Sequence, residues 1–192
     1  MKRKISFSVA LIVLAQLAIA QQPLETSGTI DATLGGQERV WHMVITEAPG
    51  VRVNTANWSF FDYSTVKFHT ITLTGYPGAA VTLDDVQTYE GRLELTFMFS
   101  DGLPSDCPCA VEASITYSAS DSISKDKYLA EEAPVTLTTF RSLDERTFAM
   151  AGDFTATLAF QKDSLSDPDP DNTLDIGGRF EATVEPAGNQ AR

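Results

Sequence analysis

The 192-residue chain is short of cysteine, histidine and positive charge: it has two Cys, two His and 14 Lys+Arg against 26 Asp+Glu. Each shortage removes a class of chemistry. The two histidines, His42 and His69, lie far apart and supply no paired metal-ligand motif, and there is no Gly-x-Ser-x-Gly nucleophile turn. A glycine-rich loop of the kind that cradles phosphates is also missing. The acidic balance disfavours nucleic acid and anionic membrane surfaces as partners, because both are bound through positive patches. No stretch keeps a 3.6-residue apolar spacing, so nothing predicts a long helix.

The one long apolar run stands at the start. Lys2, Arg3 and Lys4 precede Ile5 to Ala20, which is broken only by Ser6, Ser8 and Gln16 and ends in Ala18-Ile19-Ala20. Basic residues, an apolar segment and small residues at the −3 and −1 positions predict a bacterial signal peptide, residues 1–20, cleaved after Ala20. The run is too short and too interrupted for a spanning helix, which needs ~20 apolar residues. Three of the basic residues and none of the acidic ones lie in this segment, so cleavage takes the net formal charge from −12 to −15. The expected address is the periplasm or the extracellular medium, without membrane insertion after cleavage. Residues 21–192 suffice for a single domain with a sizeable core.

Alternation dominates what remains. Leu93, Leu95, Phe97 and Phe99 alternate with Glu94, Thr96 and Met98; Val111, Ala113, Ile115 and Tyr117 repeat the pattern, as do Phe154, Ala156, Leu158 and Phe160. One apolar face per segment predicts half-buried strands around a common core. Val40 to Thr46 is apolar at both phases, as a strand covered on both sides would be. Between Val66 and Phe68 on one hand and Ile71 and Leu73 on the other the apolar phase slips, which a β-bulge would explain. A short helical turn or long loop is expected only in residues 120–133. Turn signals such as Gly35-Gly36, Pro77-Gly78 and Asp101-Gly102 divide the chain into about ten short strands. The predicted fold is all-β: an antiparallel β-sandwich, immunoglobulin-like or jelly-roll-like, with a barrel as second choice.

Three strand patterns recur: Gly28-Thr-Ile-Asp-Ala-Thr-Leu34, Gly152-Asp-Phe-Thr-Ala-Thr-Leu158 and Gly178-Arg-Phe-Glu-Ala-Thr-Val184. Glycine is expected to start each strand at a turn or bulge, with a small Ala where two sheets approach, and the last two copies are expected to pair as a hairpin. The Gly-x-Phe pairs near the C-terminus resemble those of small exported β-sandwich proteins of bacteria. That resemblance spans about residues 26 to 186 and implies the fold and no activity.

Three places carry candidate chemistry. Asp167, Asp169, Asp171, the Thr173 carbonyl and Asp175 have the spacing of calcium-loop positions, although Asn172 and Gly178 replace the usual turn glycine and terminal glutamate. They predict either a weak calcium site, the one cofactor considered, or a solvated acidic hairpin loop. Cys107 and Cys109 are close enough to bridge in an oxidising compartment, stapling a turn, and a redox or metal pair is the alternative. In the run Asn57 to Tyr63, Trp58, Phe61 and Tyr63 are candidate ligand-binding residues for a protein or carbohydrate partner. Trp58, Phe60 and Trp41 are also natural core fillers. No catalytic pair stands out among the many carboxylates. The expected function is therefore a non-catalytic binding or structural module, with a calcium-dependent adhesion or matrix domain and a β-scaffold hydrolase as alternatives.

Overall fold

The computed structural model describes residues 22–48, 51–63, 66–100 and 102–188, so the predicted signal peptide lies outside the described residues. These residues form ten strands and one short helix: β1 (Glu25–Leu34), β2 (Gln37–Ala48), β3 (Val51–Asn54), β4 (Ala56–Tyr63), β5 (Val66–Pro77), α1 (Leu83–Gln87), β6 (Leu93–Phe99), β7 (Cys109–Ser118), β8 (Lys125–Ser142), β9 (Phe148–Asp163) and β10 (Asp169–Pro186). None of the helices among the described residues is long and apolar enough to cross a membrane.

The all-β sandwich read from the alternation is the observed fold. Strands β5 to β10 pair in order as an antiparallel meander, β10 pairs with β1, and β1 with β2. A two-residue contact, Trp41↔Pro77 and His42↔Tyr76, then joins β2 to β5, so the ladders run round the sandwich as a ring of hydrogen bonds. β3 pairs with β2 alone, and β4 joins β5 while touching the end of β10 in parallel through Asn57 and Trp58. Closing the ring leaves few free strand edges to template aggregation.

The predicted apolar faces fill the interior. Leu93, Leu95 and Phe97 of β6, Ala113 and Ile115 of β7, and Phe154 and Leu158 of β9 are buried in one cluster with Ile30, Trp41, Ile71 and Phe180. Phe97 meets Phe180 of the facing layer at a ring-centroid distance of 5.8 Å. Trp41 is wholly buried, and its indole N–H donates to the Gly91 carbonyl at 2.7 Å, which satisfies the one polar atom that its burial would otherwise strand.

A polar corner links the layers where β3 runs into β4 almost without a loop. The buried Asn54 side chain accepts from Ser27 Oγ (2.7 Å) and the Ala56 N–H (2.8 Å), and donates to the Thr183 carbonyl (3.0 Å). Thr55 Oγ1 accepts the Val44 N–H at 2.9 Å. One bend is thereby tied to β1, β2 and β10 with its buried polar atoms paired.

Several local expectations change. The only helix among the described residues is α1, outside 120–133, where a loop with a turn closed by the Lys125 N–H to the Ser122 carbonyl (3.3 Å) leads into β8 at Lys125. Five residues are too few to show periodicity; the helix starts because the Asp85 carboxylate accepts from both the N–H and the hydroxyl of Thr82, each at 2.7 Å. The second apolar face of β2 is covered only in part: Val44 packs with Tyr76 and Val81 under the α1 segment, while Val40 is exposed. Glycine in the recurrent pattern mostly marks close approach within strands rather than strand starts. A Cβ on Gly152 would lie 2.6 Å from the Thr136 carbonyl oxygen, and one on Gly178 would lie 2.2 Å from that of Asp31. Gly28 follows a register shift in the β1–β2 ladder, and Gly152 follows one in the β8–β9 ladder, between Leu137 and Thr139. The last two copies do pair, Gly152 with Phe180 and Phe154 with Gly178.

Candidate functional site

The phase slip in β5 has a different cause from the one expected. β5 pairs with β4 from Tyr63↔Val66 to Ala56↔Leu73, and with β6 from His69↔Phe99 to Gly75↔Leu93, with no register shift in either ladder. There is no bulge. Alternation instead sends His69, Ile71 and Leu73 toward the interior and Val66 and Phe68 to the outer face. The slip marks the point where the apolar face turns outward.

An apolar outer surface results at this corner. The β4–β5 hairpin overhangs β6, whose pairing with it ends at His69↔Phe99. Phe61 stands opposite Phe68, their rings stacked at 5.0 Å, and Met98 of β6 lies opposite Thr70 on the same face. Exposure is 36% for Phe61, 54% for Val66 and 67% for Met98. On a half-buried sheet this face is normally polar, so grouped large apolar side chains there are a departure from the usual pattern. The hairpin's other face carries Phe60, His69 and a cross-strand ion pair, Lys67 Nζ to Asp62 Oδ2 at 2.9 Å.

The three aromatic residues read as a binding set do not share this surface. Phe61 lies on it, whereas the side chain of Tyr63 lies outside the described residues. Trp58 points inward against the core, its indole N–H donating to the Arg146 carbonyl at 2.8 Å and its ring meeting Phe148 edge-on at 5.9 Å. It is a core filler, as its type allowed. Met98, Val66 and Phe68 were missed as surface residues, and the slip in alternation was the signal that points to them.

Trp58 also borders an open groove of about 680 Å³ between β3, the β8–β9 turn and the end of β10. Arg52 and Glu185, two of the charged groups in the groove, are engaged with each other. The Arg52 guanidinium donates to both carboxylate oxygens of Glu185 at 3.3 Å, which raises its pKa. Asp144 accepts the N–H groups of Arg146 and Thr147, and these hold its carboxyl below the usual carboxylate range. The carboxylate there serves the turn.

The Asp-rich stretch is not a closed loop. β9 ends at Asp163 and β10 begins at Asp169, so Asp169, Asp171, Thr173 and Asp175 lie along a strand, with Asp167 in the short turn before it. The β9–β10 register shifts between Asp169 and Thr173, which face the neighbouring residues Phe160 and Ala159, so residues 170–172 bulge out of the ladder. Asp175 accepts the Thr157 hydroxyl at 2.7 Å, and Asp169 the Asp171 N–H at 3.0 Å. Among the described residues no three acidic, His or Cys side chains are grouped closely enough to hold a metal ion. Addition of millimolar calcium is expected to leave the thermal midpoint within ~1 °C of that in chelator; a rise of several degrees would instead show a native-state calcium site.

Cys107 and Cys109, joined through the cis Cys107–Pro108 peptide, bring their sulfurs to 2.9 Å. Both are free thiols in this structure, their sulfurs farther apart than an S–S bond. His42 and His69 stand on different strands, β2 and β5, and the His69 ring packs tilted against Phe60 at 4.7 Å. Comparison with protein-family models, with curated proteins and with solved structures found no match to this chain.

Proposed function

We propose that the chain is an exported, non-catalytic β-sandwich module that binds a protein partner through the outer face of β4, β5 and β6. The single observation carrying this reading is the grouping of Phe61, Phe68, Val66 and Met98 on a sheet face that would otherwise be solvated. Aromatic and methionine side chains are enriched in protein interfaces, and a patch that mixes them with an aliphatic valine suits a protein better than a sugar ring. The basic and apolar segments of residues 1–20 support a periplasmic or extracellular setting.

Site-specific photocrosslinking in producing cells tests it. A benzophenone side chain in place of Met98 should form a discrete protein adduct at least ~10-fold above one in place of Thr155, on the outer face of β9, consistent with a hot-spot contact of over 1 kcal/mol. Phe61→Ser should remove that adduct while costing only about 1 kcal/mol of folding stability, mostly from its cross-strand stacking on Phe68, so that the variant stays folded. Equal labelling at 98 and 155 would sink the proposal.

A further inference from the structure

The β6–β7 connection ends in Asp106-Cys107-Pro108-Cys109, and Cys109 opens β7 opposite Leu137 of β8. Both sulfurs are half-buried against the core, 2.9 Å apart, while Asp106 and Pro108 on either side of Cys107 are exposed. A permanent bridge here would do little for the fold. It would close a loop with one residue between the cysteines, and the loop-entropy gain grows with loop length. The β7–β8 ladder already holds Cys109 in place. The pair is thus preorganised for bond formation without being needed as a staple, and accessible, strained bridges of this size are the ones that exchange.

We propose that Cys107 and Cys109 form a reversible dithiol–disulfide exchange site whose co-reactant is a low-molecular-weight disulfide. Cys109, as its thiolate, attacks one sulfur of the disulfide R–S–S–R; that S–S bond breaks, and the first R–S⁻ leaves and takes up the proton Cys109 gave to water. Cys107 then loses its proton to water and attacks the Cys109 sulfur, closing the internal bond and expelling the second R–S⁻, which is protonated in turn. The protein loses two electrons and two protons, and R–S–S–R becomes two R–SH. The order follows from the surroundings of Cys107. Burial, then the hydrogen bond to Cys109, then the charge of Cys109 push its thiol up to about 11, so it keeps its proton and acts second.

The test equilibrates the full chain in graded mixtures of reduced and oxidised glutathione, followed by acid quench, alkylation and intact mass. One reversible transition is expected between a form that takes two alkyl groups and a form lighter by two hydrogen atoms that takes none. C107S should accumulate a glutathione adduct on Cys109, and C109S one on Cys107, because neither variant can close the ring and expel the second thiol. Thermal melts of both variants confirm folding before the comparison. A bridge that stays closed in the most reducing mixture overturns the proposal, as does wild-type protein carrying two glutathiones in place of the ring. Faster reaction of C109S than of C107S overturns the assigned order.

Discussion

Phe97→Ala is expected to cost about 4 kcal/mol of folding stability, the largest loss from any single substitution considered, because truncating a fully buried phenylalanine removes its transfer free energy and leaves a cavity. Phe97 sits at the centre of β6, opposite Ile71 of β5 and Ala113 of β7, and its ring spans to Phe180 in the facing layer at 5.8 Å and to Phe99 at 6.4 Å. Neither layer can collapse onto the vacated space without disturbing ladders on both sides. Urea unfolding with linear extrapolation measures the loss. The control is one residue away: Met98→Ala, on the outer face, is expected to change stability by no more than ~0.5 kcal/mol. Similar losses at the two positions would contradict the inward and outward assignment of β6, and with it the candidate surface.

For Gly178→Ala a loss of about 3 kcal/mol is expected, from overpacking against atoms that cannot yield. A Cβ at this position would lie 2.2 Å from the Asp31 carbonyl oxygen and 2.4 Å from the Ala32 Cβ, and both belong to β1, which pairs with β10 along Gly28↔Ala182 to Leu34↔Ile176. Relief requires moving the backbone of β1, hence breaking part of a ladder whose residues Ile30, Ala32 and Leu34 are buried. Gly36→Ala offers the contrast. Gly36 has φ +81 and nothing near its side-chain position, so only the left-handed backbone is penalised, at ~1 kcal/mol. Equal destabilisation of the two variants in urea would show that the close approach of β1 and β10 is not what Gly178 serves.

The proposed surface explains a combination that is otherwise costly. Net charge far from zero disfavours association, yet this chain, with many more acidic than basic residues, exposes Phe61, Val66 and Met98 at one corner. Retaining such a corner is consistent with a partner covering it. Its sequence trace was the shift from Val66 and Phe68 to Ile71 and Leu73. Read one strand at a time, that shift is indistinguishable from a bulge, because periodicity reports which residues share a face and not which face is inside.

That limit separates what the sequence determined by itself from what tertiary structure decided. Period-2 alternation in Leu93–Phe99, Val111–Tyr117 and Phe154–Phe160 was enough to define strands and their buried sides, since a half-buried strand must alternate. The pairing of Gly152–Leu158 with Gly178–Val184 was equally legible, because a short polar connection favours a hairpin between neighbours in the chain. Only the assembled sandwich decided that Trp58 turns inward while Phe61 and Met98 face out, and that the Asp run bulges at the start of β10. It also decided that glycine marks crowding by a neighbouring strand. Each of these depends on atoms brought together from distant parts of the chain, and local spacing carries no record of which ladder lies alongside or which layer lies across.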